Sequence, residues 1–215
     1  LCIADVLNTS HPKYSSTIFI FCVSSCRVYN IIIFINYLRN FSFFQKKQTV
    51  SQEVKGEADL ELYTPISGNL ISLEEVPDLV ISERLIGDGV AVVPDKGADT
   101  IVSPCSGTIS RLIASNNAFA VRTEQGVEVY VTFGIGTSSF TGEGMTAIAK
   151  LGQQVSTGDP VLKLDIDKVS KDLESTVTSL IVVRSSASIA KVISSSGKAE
   201  AGKAPCSWVI LQDEQ

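Results

Sequence analysis

Residues 127–137 restrict the possible folds more than any other stretch. They read Val-Glu-Val-Tyr-Val-Thr-Phe-Gly-Ile-Gly-Thr. Val127, Val129, Val131 and Phe133 recur at period two, with Glu128, Tyr130 and Thr132 between them. Successive side chains of a strand point to opposite faces, so this alternation requires a half-buried β-strand. Gly134 and Gly136 are expected to end it. Just upstream, residues 116–121 read Asn-Asn-Ala-Phe-Ala-Val and predict a second strand, reached through a turn at Gly126. The two strands are expected to pair as a hairpin that brings Asn117 close to Thr132.

Other short apolar runs extend this pattern. Residues 60–63, 69–73, 161–164, 176–183 and 207–211 each read as a strand, punctuated by Gly, Pro and charged turns. Thr-Pro-Ile-Ser-Gly-Asn-Leu-Ile-Ser-Leu at 64–73 recurs loosely as Ser-Pro-Cys-Ser-Gly-Thr-Ile-Ser-Arg-Leu at 103–112, and 89–92 echoes 118–121. The repeat is too short for a solenoid. The fold expected is all-β, an antiparallel β-sandwich or barrel built from two related motifs, with short helices. One or two helical turns are expected within 143–151. A short amphipathic helix is expected at 166–175, with Ile166, Val169 and Leu173 on one side.

At 215 residues the chain has room for one domain with an extension, or for two small domains. Residues 1–57 hold six Lys/Arg against three Asp/Glu, whereas residues 58–215 hold twelve against twenty. An acidic domain repels phosphodiester backbones, so nucleic acid is not an expected partner. Five scattered cysteines, Cys2, Cys22, Cys26, Cys105 and Cys206, do not form a disulfide framework, and no second Cys/His pair completes a zinc site around Cys22 and Cys26. A reducing, cytoplasmic setting is expected, with Cys105 and Cys206 as small buried apolar residues.

The expected organisation is an apolar N-terminal extension at 1–44, a polar linker at 45–59 and a β domain at 60–215. Residues 16–38 are rich in Ile, Phe, Val and Tyr and are about long enough to cross a bilayer, but Arg27 lies within them. Two readings stay open: a segment that associates with a membrane, or a spurious or poorly ordered extension. Leu1 is not an initiator and Met145 is the only methionine. The sequence is therefore expected to be a fragment, a processed product or a translation begun upstream of the true gene.

The paired strands carry a resemblance. Ser115-Asn116-Asn117-Ala118-Phe119 and Val131-Thr132-Phe133-Gly134-Ile135-Gly136-Thr137 resemble Thr-Asn-His-Ala-Phe and Val-His-Phe-Gly-Ile-Asp-Thr. The latter pair belongs to the glucose-family IIA component of the bacterial sugar phosphotransferase system. Val76-Pro77-Asp78-Leu79-Val80-Ile81-Ser82-Glu83 likewise resembles that family's Val-Pro-Asp-Val-Val-Phe-Ala-Glu. The resemblance covers roughly residues 60–211 and implies the duplicated β fold. It implies a phosphoryl group passed from the carrier protein HPr to a histidine of the IIA domain and on to a permease domain.

In that correspondence Thr132 takes the phosphoacceptor position, Asn117 the second histidine and Ser115 the supporting Thr. The lone histidine of the sequence, His11, lies in the extension. Imidazole is nucleophilic near neutral pH, whereas a threonine hydroxyl needs a base and an amide cannot shuttle a proton. The resemblance thus implies a homologue that binds or regulates within the sugar uptake system without carrying phosphate. The alternatives are a carrier with another acceptor, or a remnant without activity. No cofactor and no metal are expected. The same lack of histidine argues against metallopeptidase and serine hydrolase chemistry, and no exposed hairpin lysine suits a biotinyl or lipoyl carrier. The implied partners are HPr, a permease domain or proteins regulated by the system, with Val80, Ile81, Asn117, Phe119, Thr132, Phe133 and Gly136 as the partner-binding set. Gly136, where the family has Asp, removes one charge from the implied acidic rim. Gly87-Asp88-Gly89 is read as a turn and not a phosphate loop, because neither Lys-Ser/Thr nor a helix start follows.

Overall fold

Residues 58–212 are described by the structure, a computed structural model; the expected extension and nearly all of the expected linker lie outside them. The order of strands is β1 (Leu60–Tyr63), β2 (Gly68–Ile71), β3 (Gly87–Pro94), β4 (Thr100–Val102), β5 (Gly107–Leu112), β6 (Ala118–Arg122) and β7 (Glu128–Ile135). It continues with β8 (Met145–Ala147), β9 (Gln154–Val155), β10 (Pro160–Leu164), β11 (Ser175–Val183), β12 (Ile189–Ser194), β13 (Gly197–Ala199) and β14 (Pro205–Leu211). Two four-residue helices, α1 (Leu79–Ser82) and α2 (Ile166–Val169), interrupt them, with 3-10 turns at Leu73–Glu75 and Thr137–Ser139.

The internal repeat in the sequence appears as a symmetry of the sheets. The large sheet runs β13-β2-β3-β11-β7-β6-β5-β9, and two small sheets run β1-β14-β12 and β4-β10-β8. Reversing the large sheet exchanges β2 with β5 and β3 with β6, the strands that carry the repeated residues. The hydrogen bonds repeat too. Tyr63 N donates to Pro104 O and Val102 N to Pro65 O, both at 2.8 Å, so the two Pro-containing turns clasp each other. Thr64 N donates to Ala204 O and Ser103 N to Asp159 O; Gly202 N donates to Thr64 O and Gly158 N to Ser103 O. Gly68 and Gly107 hold equivalent places because a Cβ there would press on Val93 O at 2.2 Å or Arg122 O at 2.3 Å. Only glycine permits such close backbone approach.

The core lies inside these sheets. Val129, Val131 and Phe133 of β7 meet Leu180 and Val182 of β11, Phe119 and Val121 of β6, and Val90 and Val92 of β3. A second, smaller cluster covers the other face of the large sheet. There Ile135, Val177, Ile181 and Ala91 pack against Leu73, Val76 and Ile81 from the segment containing α1. Ile135 changes faces because β7 does not end at Gly134 as expected. Gly134 has φ +83°, and the pairing with β11 slips between Ser175 and Thr178. Two residues of β11, Thr176 and Val177, stand opposite Gly134 alone, and the left-handed backbone at Gly134 breaks the alternation of β7, so Ile135 joins the outer cluster.

Two helical expectations are corrected. Within 143–151 the chain forms β8, whose Met145, Thr146 and Ala147 pair with Leu164, Lys163 and Leu162 of β10. An available sheet edge outweighs the weak helix propensity of so short a segment. The helix expected over 166–175 extends only through Val169, with Asp165 as its N-cap. Beyond it the chain enters β11, and Glu174 N already donates to Ile135 O at 2.9 Å. Four strands, β4, β9, β12 and β13, stand in segments where the sequence reading placed none.

Candidate functional site

The hairpin of β6 and β7 forms as expected. Ala118 is opposite Thr132, and Phe133 N donates to Asn117 O at 2.8 Å. Thr132 is also opposite Ser179 of β11, so Ala118, Thr132 and Ser179 lie side by side on the outer face of the sheet. The Ser115 hydroxyl donates to Asn117 Oδ1 at 2.5 Å. This bond fixes the amide so that its carbonyl faces Ser115 and its NH2 group faces away. Ser115 and Asn117 are thus joined directly, and the register sets Thr132 on the strand beside them.

Asn117 is buried and Thr132 half-buried. Burial pushes the Tyr130 phenol up, and its hydrogen bond with the Thr132 hydroxyl and the charge of Arg111 pull it partly back. On the same face, burial raises Glu128, but hydrogen bonds from Arg122 and Ser110 and the charges of Arg122 and Arg111 outweigh it and hold this carboxyl low. The Ser179 hydroxyl is buried with no hydrogen-bond partner among the described residues. Nothing in the sequence marked Ser179; only the register of β11 against β7 brings it beside Thr132.

The other expected residues divide by depth. Val80 is 45% exposed, on α1 beside Leu79 at 77%. Asp78 caps this helix, its carboxylate accepting from the backbone of Val80 and Ile81. Ile81 faces inward to the second cluster. Phe119 and Phe133 are fully buried in the main core. They are corrected from partner-contacting residues to supports beneath the site, because the inward alternation of β6 and β7 leaves them no surface. Gly136 is half-buried and left-handed, at φ +76° and ψ +30°, where it opens the 3-10 turn. Leu85, at 68% exposure, and Ile86, at 37%, add to the apolar surface near α1 and were not singled out from the sequence.

The site offers amide and hydroxyl groups, with neither imidazole nor thiol. Cys105 and Cys206 lie elsewhere in the core, and burial pushes both thiols up to about 12, far from reactive thiolates. Among the described residues no group of three or more His, Cys, Asp or Glu is placed to hold a metal ion. Among them, too, no helix is long and apolar enough to cross a membrane.

Comparison with known proteins identifies this architecture. Residues 60–188 match the family described as the phosphoenolpyruvate-dependent sugar phosphotransferase system, EIIA 1. The glucose-specific EIIA component of Haemophilus influenzae is 39% identical over 160 residues, covering 74% of this chain and 91% of that protein. The glucose-specific EIIA component of Borreliella burgdorferi is 36% identical over 131 residues, or 61% of this chain and 68% of that one. The N-acetylglucosamine-specific EIICBA component of Escherichia coli is 36% identical over 146 residues, 67% of this chain but 22% of that longer protein. The solved structure of the glucose permease IIA from Mycoplasma capricolum superposes with a TM-score of 0.62 at 28% identity, covering 69% of this chain and 94% of that one. With the duplicated sheet, the matching hairpin and these relatives in agreement, the chain belongs to the glucose-type EIIA family of the sugar phosphotransferase system.

Proposed function

We propose that this chain binds partners of the sugar phosphotransferase system, on its cytoplasmic side, without itself carrying phosphate. The observation that carries the reading is the pair Asn117 and Thr132, held on adjacent strands in a preserved frame with no imidazole among the described residues. Onward phosphoryl transfer needs a nucleophile whose phosphorylated form stays reactive. A phosphothreonine ester is a poor donor, and among the described residues there is no imidazole to serve as a base for the Thr132 hydroxyl. Asn117 can donate a hydrogen bond but cannot take up a proton.

The docking half of the reading rests on the exposed Leu79, Val80, Leu85 and Ile86. Apolar side chains gathered on one exposed segment are the usual centre of a protein contact. The partners are HPr and a permease domain. Support for the latter comes from the N-acetylglucosamine-specific relative, which joins the corresponding A region to C and B regions in one polypeptide.

The test is phosphotransfer from labelled phosphoenolpyruvate through the general carriers to the full chain, beside the variant carrying Asn117→His and Thr132→His. The expected result is no label on the wild type and label on the double variant. Label on the wild type would overturn the reading in favour of another acceptor. No label on either protein would favour a remnant, or a partner outside this system.

A further inference from the structure

The apolar surface of α1 adjoins a corner of the sheet where β7 ends and β11 begins. Ile135 from one strand and Val177 from the other pack under Leu73, Val76 and Ile81. At this corner Gly136 and Glu174 come together. A Cβ on Gly136 would stand 2.6 Å from Glu174 Cγ, 2.9 Å from Cδ and 3.1 Å from Oε1. The Glu174 side chain therefore fills the space that a side chain at 136 would need. The residue is exposed, and no ion pair involves its carboxylate among the described residues. It borders an open depression of about 670 Å³, also lined by Gly136, Ser138, Ser139, Lys171 and Asp172. Lys171 and Asp172 offset one another in charge, which leaves Glu174 as the net charge of this corner.

We propose that Glu174, folded over Gly136, supplies the carboxylate of the docking rim and selects a partner whose apolar centre is bordered by basic residues. The assignment rests on the docking half of the function proposed above and commits to HPr as the occupant. With glycine at 136 the Glu174 side chain lies over that position, and a side chain at 136 would displace it. The carboxylate of this corner is carried by the bend that leads into β11. The charge balance of the domain, twelve Lys/Arg against twenty Asp/Glu over 58–215, favours the same kind of partner.

The experiment titrates the full chain with purified HPr by calorimetry at low and high ionic strength. Wild type is expected to bind more weakly at high salt. Glu174→Gln should weaken binding about three- to tenfold at low salt, with the gap closing as salt screens the rim. Glu174→Lys should weaken it further. The double variant Glu174→Ala with Gly136→Asp should recover most of the wild-type affinity. The Glu174 side chain makes no hydrogen bond among the described residues, so the Gln variant should keep the wild-type thermal midpoint. Wild-type binding that Glu174→Gln leaves unchanged would overturn the role of Glu174 and leave the docking reading standing. A wild type that does not bind HPr would overturn both.

Discussion

The two faces of β7 differ in what their side chains are for. Inward, Val129, Val131 and Phe133 are sealed in the main core against β6, β11 and β3. Outward, Glu128, Tyr130 and Thr132 lie among hydroxyls, guanidinium groups and the small Ala118 and Ala120 of β6. The inner face fixes the register, because a slip by one residue would place valines in solvent and Glu128 in the core. The outer face fixes little, so its chemistry can change while the strand stays in place. An amide and a hydroxyl can thus occupy the positions that the family resemblance assigns to histidines, within an unchanged hairpin.

The sharpest way to break this distinction is to truncate neighbours on opposite faces. Phe133→Ala removes a fully buried ring and should cost about 3–5 kcal/mol of stability. Thr132→Ala, one residue away, removes a half-buried hydroxyl bonded to Tyr130 and should cost about 1 kcal/mol or less. Urea unfolding followed by tryptophan fluorescence measures both. Similar losses for the two variants would mean that the outer face is also structural, and a neutral replacement at 132 would lose its explanation.

The faces exchange at Gly134, and the second prediction concerns this pivot. A side chain here must adopt φ near +83° and would meet the Leu173 side chain. Gly134→Ala should therefore cost about 2 kcal/mol, from left-handed strain together with crowding. It should also loosen the cluster of Ile135, Val177 and Ile81, seen as faster amide exchange at Ile135 and at the backbone of α1. A loss below about 0.5 kcal/mol would mean that the bulge relaxes at little cost and does not fix the docking corner.

Much of this was legible from residue order alone. Alternation at 127–133 gave the inner face, and the repeated Pro-to-Gly spacing at 65–68 and 104–107 marked the duplication that the sheet order displays. What escaped depends on pairing between distant segments. A sheet edge recruited residues 145–147 as a strand against a local helical pattern. Phe119 and Phe133 match docking positions by resemblance, yet alternation commits them to the core. Ser179 comes beside Thr132 only through the register of β11, and Glu174 comes beside Gly136 only where β7 and β11 meet. No local pattern names either residue, because their role depends on what stands opposite them.

Ser179 yields the smallest effect and the finest test of the outer face. Its hydroxyl is buried next to Thr132 without a hydrogen-bond partner, an arrangement that lowers stability where it occurs in a core. Ser179→Ala removes that unsatisfied group with little change in volume. The expected effect lies between zero and a gain of about 1 kcal/mol, read as an unchanged or raised urea midpoint. The change is confined to the outer face, and its neighbour Leu180 stays packed inward. Binding of HPr by Ser179→Ala should then separate two causes for keeping the hydroxyl. Affinity equal to wild type would make Ser179 a tolerated defect of the outer face, in keeping with the phosphate-free binding proposed above. Weaker binding by a protein at least as stable would mean that the buried hydroxyl finds its partner only in the complex, and that the outer face is retained for contact.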